Sequence, residues 1–327
     1  MNIGQDIPRP VYTYVGIDVS KDTLDIHDRG RHSTINNDRG AVRRRCKQIA
    51  RIGEDGTCPP PMVVLEATGA YERLLTRELD RAGVPHRRCN PRQVREHARS
   101  TGQLAKSDRI DSGCLTSFGD ANRLQPRPSA PETTLELRSL EDARAALVED
   151  RKSWTNRLKQ DLGAAMERIA GEHIAHLDAS IEKIEGQIAV AVASDSLLAE
   201  RAAILEGVCG IGATTASALL AYLPELGSLN VKSVANLSGV APHACESGTM
   251  KGRRICWGGR AVVRRVLYMP VLTAVWHNPV IRESYTSMIA NGKPPKVALV
   301  AMMRKLLIHL NSLLKGAQHE CYETMGK

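Results

Sequence analysis

Four acidic side chains are spaced so that the fold could bring them together. Asp18 ends an apolar, β-branched segment and Glu66 ends the apolar run 62–66, whereas Asp108 and Asp111 are three residues apart. Functional side chains collect at strand ends in α/β sheets, and a three-residue spacing puts both aspartates on one face of a helix. Each acid taken singly could equally be an ordinary exposed residue or a helix cap.

Clustered carboxylates indicate the chemistry of a divalent cation. Like charges repel and raise one another's pKa unless cations lie between them. Oxygen ligands suit Mg²⁺, and paired ions can activate a nucleophile and stabilise the leaving oxygen at a phosphodiester. We therefore expect the four acids to hold Mg²⁺ and to act on a nucleic-acid backbone.

A serine and a basic segment lie together in the C-terminal third. Ser247 could be a nucleophile at phosphorus if a metal or a base removes its proton, although Ser-Gly is first of all a turn signal. Cations that follow the serine could neutralise phosphate charge. They are Lys251, Arg253, Arg254, Arg260, Arg264 and Arg265.

A glycine-rich turn precedes the serine and opens a helix. The segment 207–212 reads GVCGIG and is followed by an apolar helix predicted over 213–223. Glycine lets backbone N–H groups approach a phosphate, and a helix N-terminus favours an anion. This pattern predicts a helix-hairpin-helix-like contact to a DNA backbone through Gly210 and Gly212. A structural turn with no ligand fits the same residues.

The elements that would position the acids are those of an α/β domain. Alternating and β-branched segments bounded by turn residues indicate strands, and 3.6-residue apolar spacing indicates helices. The predicted strands cover 11–18, 24–27, 32–35, 62–68 and 84–89, and the predicted helices cover 41–52, 71–82, 91–100 and 107–122. The first three strands fit a meander, and the apolar run 62–66 fits a buried central strand.

A different pattern follows a proline-rich linker. Apolar residues at three-, four- and seven-residue spacings between Glu132 and Asp195 predict two long amphipathic helices with a break near Gly171. Such a hairpin could pack within its own chain or serve as a dimerisation arm. We predict three domains, namely an α/β domain over 1–128, a helical coiled-coil arm over 129–195 and a helical domain over 196–327.

Composition limits the class of protein and of partner. Apolar residues make up 42% and charged residues 25% of the 327 residues, as in globular proteins, and the formal net charge of +9 favours a polyanionic partner. Aromatic residues reach only 3%, which argues against base-stacking platforms. Eight cysteines without a CxxC pair, and no secretory signal, indicate free thiols in the cytoplasm. Within the uncharged stretch 207–224, the part predicted to be helical, 213–223, is too short to cross a membrane.

Several motifs, in order along nearly the whole chain, resemble one known family. GIDVSK at 16–21, LEATGAY at 65–71, NP at 90–91 and KSDRID at 106–111 are similar to the DEDD motifs of insertion-sequence transposases related to the Piv invertase. The later segments 207–212, 247–248, 264–268 and 301–305 resemble the C-terminal transposase domain of that family.

The resemblance implies a fold, a mechanism and partners. It implies an RNase H-like, RuvC-type N-terminal domain whose metal-binding acids are Asp18, Glu66, Asp108 and Asp111, and a helical domain in which Ser247 forms a phosphoserine link to DNA. It also implies recombination of element ends with target DNA, guided by a structured bridge RNA. Family members form homodimers that pair into tetramers, in which the serine of one subunit completes the acids of another, in the bacterial cytoplasm at the nucleoid.

Two other readings remain open at the level of the residues. A RuvC-like endonuclease would resolve DNA junctions with water and would need no serine. A non-enzymatic protein could bridge DNA through its basic faces and its helical arm, but it would gain nothing from four clustered acids beside a polyanion. A covalent protein–DNA adduct is expected only of the recombinase.

Overall fold

The computed structural model describes residues 10–66, 69, 71–103, 108–127, 130–160, 163–244, 246–247, 250–252 and 254–325. The chain divides into two compact units, Met1–Ser129 and Ala130–Lys327. The first unit is α/β and the second is mainly helical, as predicted, although the second unit also contains four short strands that the sequence did not predict.

The first unit is built on one mixed sheet of five strands. In chain order its elements are β1 (Thr13–Val19), β2 (Thr23–Asp28), β3 (Arg31–Asn36), α1 (Arg39–Ala50), β4 (Pro61–Glu66), α2 (Arg73–Arg81), β5 (His86–Cys89), α3 (Pro91–Ser100) and α4 (Asp108–Ala121). The strand order is β3-β2-β1-β4-β5. The β1–β2 and β2–β3 pairs are antiparallel, whereas β1–β4 and β4–β5 are parallel. The predicted meander and the central position of the apolar strand are thus confirmed.

Helices cover both faces of this sheet, and strand side chains alternate between two cores. On one face, Ile17 and Leu65 pack with residues of α1 and α2. On the other face, Tyr14 and Val64 pack with residues of α3 and α4, among them Leu115. Because successive side chains of a strand point to opposite faces of the sheet, alternate residues of each strand pack against the same pair of helices.

Capping residues begin two of these helices. The Asp38 side chain accepts a hydrogen bond from the N–H of Ala41 at the start of α1. Asn90 does the same for Arg92 at the start of α3, where Pro91 occupies the first turn. Asp and Asn caps satisfy helical N–H groups that have no partner within the helix, and proline suits the first turn, so these starts were predictable within about two residues.

The second unit begins with a long helical hairpin. Its elements are α5 (Glu132–Arg157), α6 (Ala164–Ala193), α7 (Ser196–Glu206), α8 (Ala213–Tyr222), α9 (Val231–Leu237), β6 (Pro242–His243), β7 (Glu246–Ser247), β8 (Met250–Lys251), β9 (Ile255–Cys256), α10 (Ala261–His277), α11 (Pro279–Ala290) and α12 (Pro295–Met325). The four short strands form two antiparallel pairs, β6 with β9 and β7 with β8.

The predicted hairpin is present, but its predicted break is wrong. Arg144 contacts Glu185 and Arg151 contacts Asp178, so α5 and α6 run antiparallel. The turn lies between the end of α5 at Arg157 and the start of α6 at Ala164, and α6 continues through Gly171. Gly163 has a φ of 74°, a left-handed conformation that favours glycine. Gly171 lies within regular helix, which tolerates a glycine at modest cost.

One core joins the hairpin base to the C-terminal helices. Leu137 of α5, Leu219 of α8 and Leu307 of α12 are fully buried in the same cluster. Among the described residues one helical stretch, Pro295–Gly316, is long and apolar enough to cross a membrane by length and composition. Half of its apolar window is buried inside the folded protein, as is usual for the core helix of a globular unit.

Candidate catalytic site

Asp18 and Glu66 lie side by side at the ends of two central strands. In the parallel β1–β4 pair, Ile17 is opposite Leu65, and each acid is the next residue of its strand. Asp18 is two residues after Gly16, and Glu66 is two residues after Val64, so both belong to the face that α4 covers. Both side chains are half-buried.

Helix α4 brings the second pair of acids towards the same edge. Gly119, near the end of α4, lies against Tyr14, and Ser112 and Thr116 lie against Gly16 further along β1. The helix therefore runs antiparallel to β1. Its first turn, which carries Asp111 and begins at Asp108, extends beyond Gly16 in the direction of Asp18. The side chain of Asp108 lies outside the described part of the chain.

The thiol of Cys114 on α4 lies within electrostatic reach of one acid on α4 and one on β4. Burial is the main cause that raises the pKa of this α4 thiol, and the negative charges of Asp111 and Glu66 raise it further, against the charge of Arg95. The pKa of Cys89, which is opposite Glu66 in β5, is raised to about 11, again chiefly by burial. A charge on β4 and a charge on α4 thus act on one thiol.

The donor set at this edge fits a hard divalent cation. All four predicted ligands are carboxylates, and carboxylate oxygens are preferred by Mg²⁺ over the nitrogen and sulfur ligands typical of zinc. Among the side chains that the structure describes, no three His, Cys, Asp or Glu residues are already grouped closely enough to hold an ion. Asp108, whose side chain is not among them, would add a fourth carboxylate.

Ser247 lies in the second unit, in a tight antiparallel pair of strands. It is the last residue of β7 and is opposite Met250 of β8. Gly248 and Thr249, which connect the strands, and Arg253 lie outside the described residues, as do the side chains of Ser247 and Lys251. Backbone pairing agrees with the turn that Ser-Gly predicts, and a serine near a hairpin tip remains compatible with a nucleophile.

The basic residues after the serine fall into two groups. Arg260 donates to both carboxylate oxygens of Glu225, at 2.6 and 2.8 Å, and to the carbonyl of Tyr222 at 2.8 Å. Arg264 donates to the carbonyls of Gly239 and Gly258, at 3.4 and 2.5 Å. These two guanidinium groups connect segments of the second unit, whereas Arg254 and Arg265 have exposed side chains.

The glycines of the predicted phosphate-binding turn also differ from each other. A Cβ on Gly210 would lie 2.5 Å from the carbonyl oxygen of Pro270, so this glycine permits close packing against α10. Gly212 is the N-terminal cap of α8, is exposed and has open space where a side chain would be. Of the two glycines, Gly212 is the one placed to present helical N–H groups to a ligand.

Sequence reasoning missed a contact beneath the acids. The hydroxyl of Thr116 on α4 accepts a hydrogen bond from the N–H of Gly16 at 2.9 Å and lies 3.1 Å from Nδ1 of His27. A glycine within a predicted strand signals close approach of another backbone. Gly16 therefore carried that signal, but nothing in the sequence indicated that α4 would be the element that approaches.

An α/β unit with acids at one sheet edge, joined to a helical unit with a serine hairpin, suits an enzyme that acts on DNA strands. A family model described as a transposase, of the DEDD type of IS110 elements, matches residues 15–166. A second, described as Transposase IS116/IS110/IS902 family, matches residues 202–286. The chain therefore carries two IS110-family transposase domains, and they contain all four acids and Ser247.

Individual relatives extend the similarity over most of the chain. The chain is 27% identical over 312 residues to the pilin gene-inverting protein of Moraxella lacunata. The same identity and length hold for the pilin gene-inverting protein of Moraxella bovis, and each alignment covers 90% of this chain and 93% of the relative. The chain is 24% identical over 339 residues to the transposase for insertion sequence element IS1328 of Yersinia enterocolitica, covering 89% of this chain and 96% of the relative.

Proposed function

We propose that this protein is a DNA transposase or recombinase that cuts element and target strands and rejoins them in new combinations. One observation carries the proposal: α4 packs antiparallel on β1, so its first turn, which begins at Asp108, lies towards the strand ends that carry Asp18 and Glu66. The transposase domains and the relatives named as a gene-inverting protein and a transposase support it.

The proposed metal ligands are the four acids, and the proposed ion is Mg²⁺. A bound divalent cation would lower the pKa of an attacking hydroxyl and stabilise charge on a leaving oxygen. The chain contributes a rigid strand pair for Asp18 and Glu66 and a helix that rests on this pair for Asp108 and Asp111. Rigid elements suit this task, because small displacements of reacting groups cost much of the rate.

Ser247 is the proposed nucleophile. Its Oγ forms a bond to phosphorus while the bond from phosphorus to one deoxyribose oxygen breaks; the serine gives up its proton and the departing oxygen gains one. A hydroxyl of a second DNA end then attacks the phosphoserine, forms the new phosphodiester and releases the serine, which regains a proton. An enzyme hydroxyl conserves the phosphodiester through this exchange, whereas water would hydrolyse it.

The architecture and partners in this proposal follow the resemblance to transposases. The first unit is proposed to be an RNase H-like domain of the RuvC type over 1–128, followed by a coiled-coil arm over 129–195 and a serine-bearing domain over 196–327. Homodimers would pair into a tetramer in which one subunit's serine meets another's acids. A bridge RNA would guide the complex to element and target DNA at the bacterial nucleoid.

A denaturing gel of labelled DNA tests the nucleophile. The wild-type protein should shift part of the label to a covalent adduct, and Ser247→Ala should bind DNA with unchanged affinity yet form no adduct and no recombinant. Thr249→Ala is the matched control, because it removes a neighbouring hydroxyl and should leave the adduct intact. Cleavage without adduct in the wild type would favour the hydrolytic nuclease, and an adduct of equal yield with Ser247→Ala would eliminate this serine.

A pair of substitutions on one helix tests the acids. Asp111→Asn should abolish strand cleavage while DNA binding persists, because a neutral amide is a poor ligand for Mg²⁺. Asp120→Asn is the matched control, since Asp120 is exposed near the other end of α4 and should be dispensable for cleavage. Near wild-type cleavage by Asp111→Asn in Mg²⁺ would remove this residue from the site.

A further inference from the structure

One hydroxyl joins α4 to two strands of the sheet directly below the acids. Thr116 Oγ1 accepts from the N–H of Gly16 in β1 at 2.9 Å. The same oxygen lies 3.1 Å from His27 Nδ1 in β2, and 3.3 Å from two carbonyl oxygens, that of His27 and that of Ser112 in its own helix. Gly16 and His27 are opposite each other in the antiparallel β1–β2 pair, so the hydroxyl bonds to two neighbouring positions of adjacent strands at once.

The absence of a side chain at Gly16 makes this contact possible. A Cβ at this position would collide with the backbone carbonyl oxygen of Ser112 and would lie 2.7 Å from Thr116 Oγ1. The backbone of α4 therefore rests on the backbone of β1. A residue with a side chain at position 16 would move α4 away from the sheet.

The close approach of β1 and α4 lies within one or two residues of one acid from each pair. Gly16 is two residues before Asp18 on the same face of β1, and Ser112, whose carbonyl touches the Gly16 position, directly follows Asp111. A slide of α4 by a single residue would move its acids by about 1.5 Å along β1 and rotate them about 100° around the helix axis. A hydroxyl bonded to two strands opposes both movements.

We propose that Thr116, braced by His27, is a positioning residue that fixes α4 on β1 and so sets the spacing between the α4 acids and the strand acids. This inference rests on the proposed function, since it concerns the same acids. Thr116 does not touch the ion or DNA in this proposal. Its side chain acts through the helix, as groups outside a metal's ligands do when they orient those ligands.

Titration calorimetry of the full-length protein with Mn²⁺ alone tests this role. Thr116→Val keeps the shape of the side chain and removes the hydroxyl, and we expect Mn²⁺ affinity to fall about tenfold, at the lower end of the range for groups that orient metal ligands. Thr116→Ser keeps the hydroxyl and should restore affinity to within about twofold of wild type. Asp111→Asn provides the reference for loss of the site.

Thr76→Val is the matched control. Thr76 is a buried helical threonine that lies on α2, across the sheet from α4, and is bonded to the Arg73 carbonyl at 3.1 Å, whereas Thr116 is half-buried. Loss of the Thr76 hydroxyl in this variant should leave the affinity for Mn²⁺ unchanged. If Thr116→Val retains wild-type affinity, or if Thr76→Val weakens binding equally, the positioning role is overturned. If the wild type shows no saturable Mn²⁺ binding that Asp111→Asn removes, the proposed metal site itself fails, and the positioning role with it.

Gly16→Ala provides a second variant should the valine protein fold poorly. The added methyl group would push α4 from β1, so weaker Mn²⁺ binding is expected in a protein that still melts cooperatively. Unchanged Mn²⁺ affinity in folded Gly16→Ala would show that the acids do not depend on this close approach, and would overturn the proposal.

Discussion

Substitution of Arg260 separates a structural cation from a DNA-binding one. The sequence predicts a phosphate contact at this position, yet the guanidinium makes three short hydrogen bonds inside the second unit, two of them to Glu225. The side chain is 31% exposed and that of Glu225 is 17% exposed. A bidentate, partly buried pair of this kind is well placed to stabilise the fold.

The expected loss of stability follows from these bonds. A hydrogen bond to a charged group contributes about 1.5–3 kcal/mol, and removal of one partner leaves the other charge poorly solvated. Because both groups retain some contact with water, we expect Arg260→Ala to lower the free energy of unfolding by about 2–3 kcal/mol in total. For a unit the size of Ala130–Lys327 this corresponds to a fall in Tm of about 5–10 °C.

The assay combines thermal melting with a salt titration of duplex-DNA binding. Arg260→Ala should lower Tm and leave the slope of log affinity against log salt unchanged below the melting range. Arg265→Ala, at an exposed position in α10, the helix that Arg260 precedes, should do the reverse and reduce the slope by about 0.9, the value for one phosphate contact. Arg260→Ala with Glu225→Gln should cost less than the sum of the single substitutions.

The opposite pattern would refute this reasoning. If Arg260→Ala reduces the salt slope as Arg265→Ala does and melts at the wild-type temperature, the guanidinium leaves Glu225 to contact phosphate in the complex. The ion pair between Arg260 and Glu225 would then exist only in the DNA-free protein.

Three further results are expected. Burial raises the pKa of Glu141, whose side chain accepts a hydrogen bond from Ser217 at 2.6 Å, so the folded state keeps a proton that the unfolded chain loses as pH rises. Glu141→Gln should therefore have the same Tm as the wild type in acid and a higher Tm at neutral pH. A difference in Tm that stays constant across pH would contradict this. Exposed Arg43 and Lys47 on α1 should each contribute about 0.9 to the salt slope, and a nearly flat titration would make them solvated surface charges. Replacing 148–181 with a short turn should keep the second unit folded and reduce self-association in sedimentation, whereas an unchanged assembly would show that the outer hairpin only packs within its subunit.

The replacement of 148–181 spares the base of the hairpin, because that base belongs to the core of the second unit. Leu137 is fully buried against α8, Ser217 of α8 bonds to Glu141, and Tyr222 donates to Asp142 at 2.8 Å. The spacing of apolar residues predicted the two helices but could not indicate which turns of α5 face the C-terminal helices. A stripe that packs against a partner subunit and one that packs within the chain have the same period.

The first unit was predictable in its elements because local signals agree there. Apolar and polar residues alternate along a strand when one face of the sheet is covered, and the strand is wholly apolar when both faces are covered. Asn90 and Pro91 mark the start of α3. The hairpin turn was not predictable, since Gly163 and Gly171 look alike in sequence and only the fold makes one of them adopt a left-handed conformation. The partner of Arg260 was equally hidden, because Glu225 is 35 residues away in the chain.

The Gly-Ile-Asp sequence at 16–18 connects the packing of α4 on β1 with the position of Asp18. Aspartate has one methylene between its backbone and its carboxylate, so acids on a strand and on the helix above it can approach one ion only if the two backbones are close. Gly16 removes the side chain that would hold α4 away, and Thr116 uses the resulting contact for a hydrogen bond. Glu66, on the neighbouring strand β4, has a side chain one methylene longer than that of aspartate. A larger residue at position 16 should therefore weaken the metal site even though all four acids are retained.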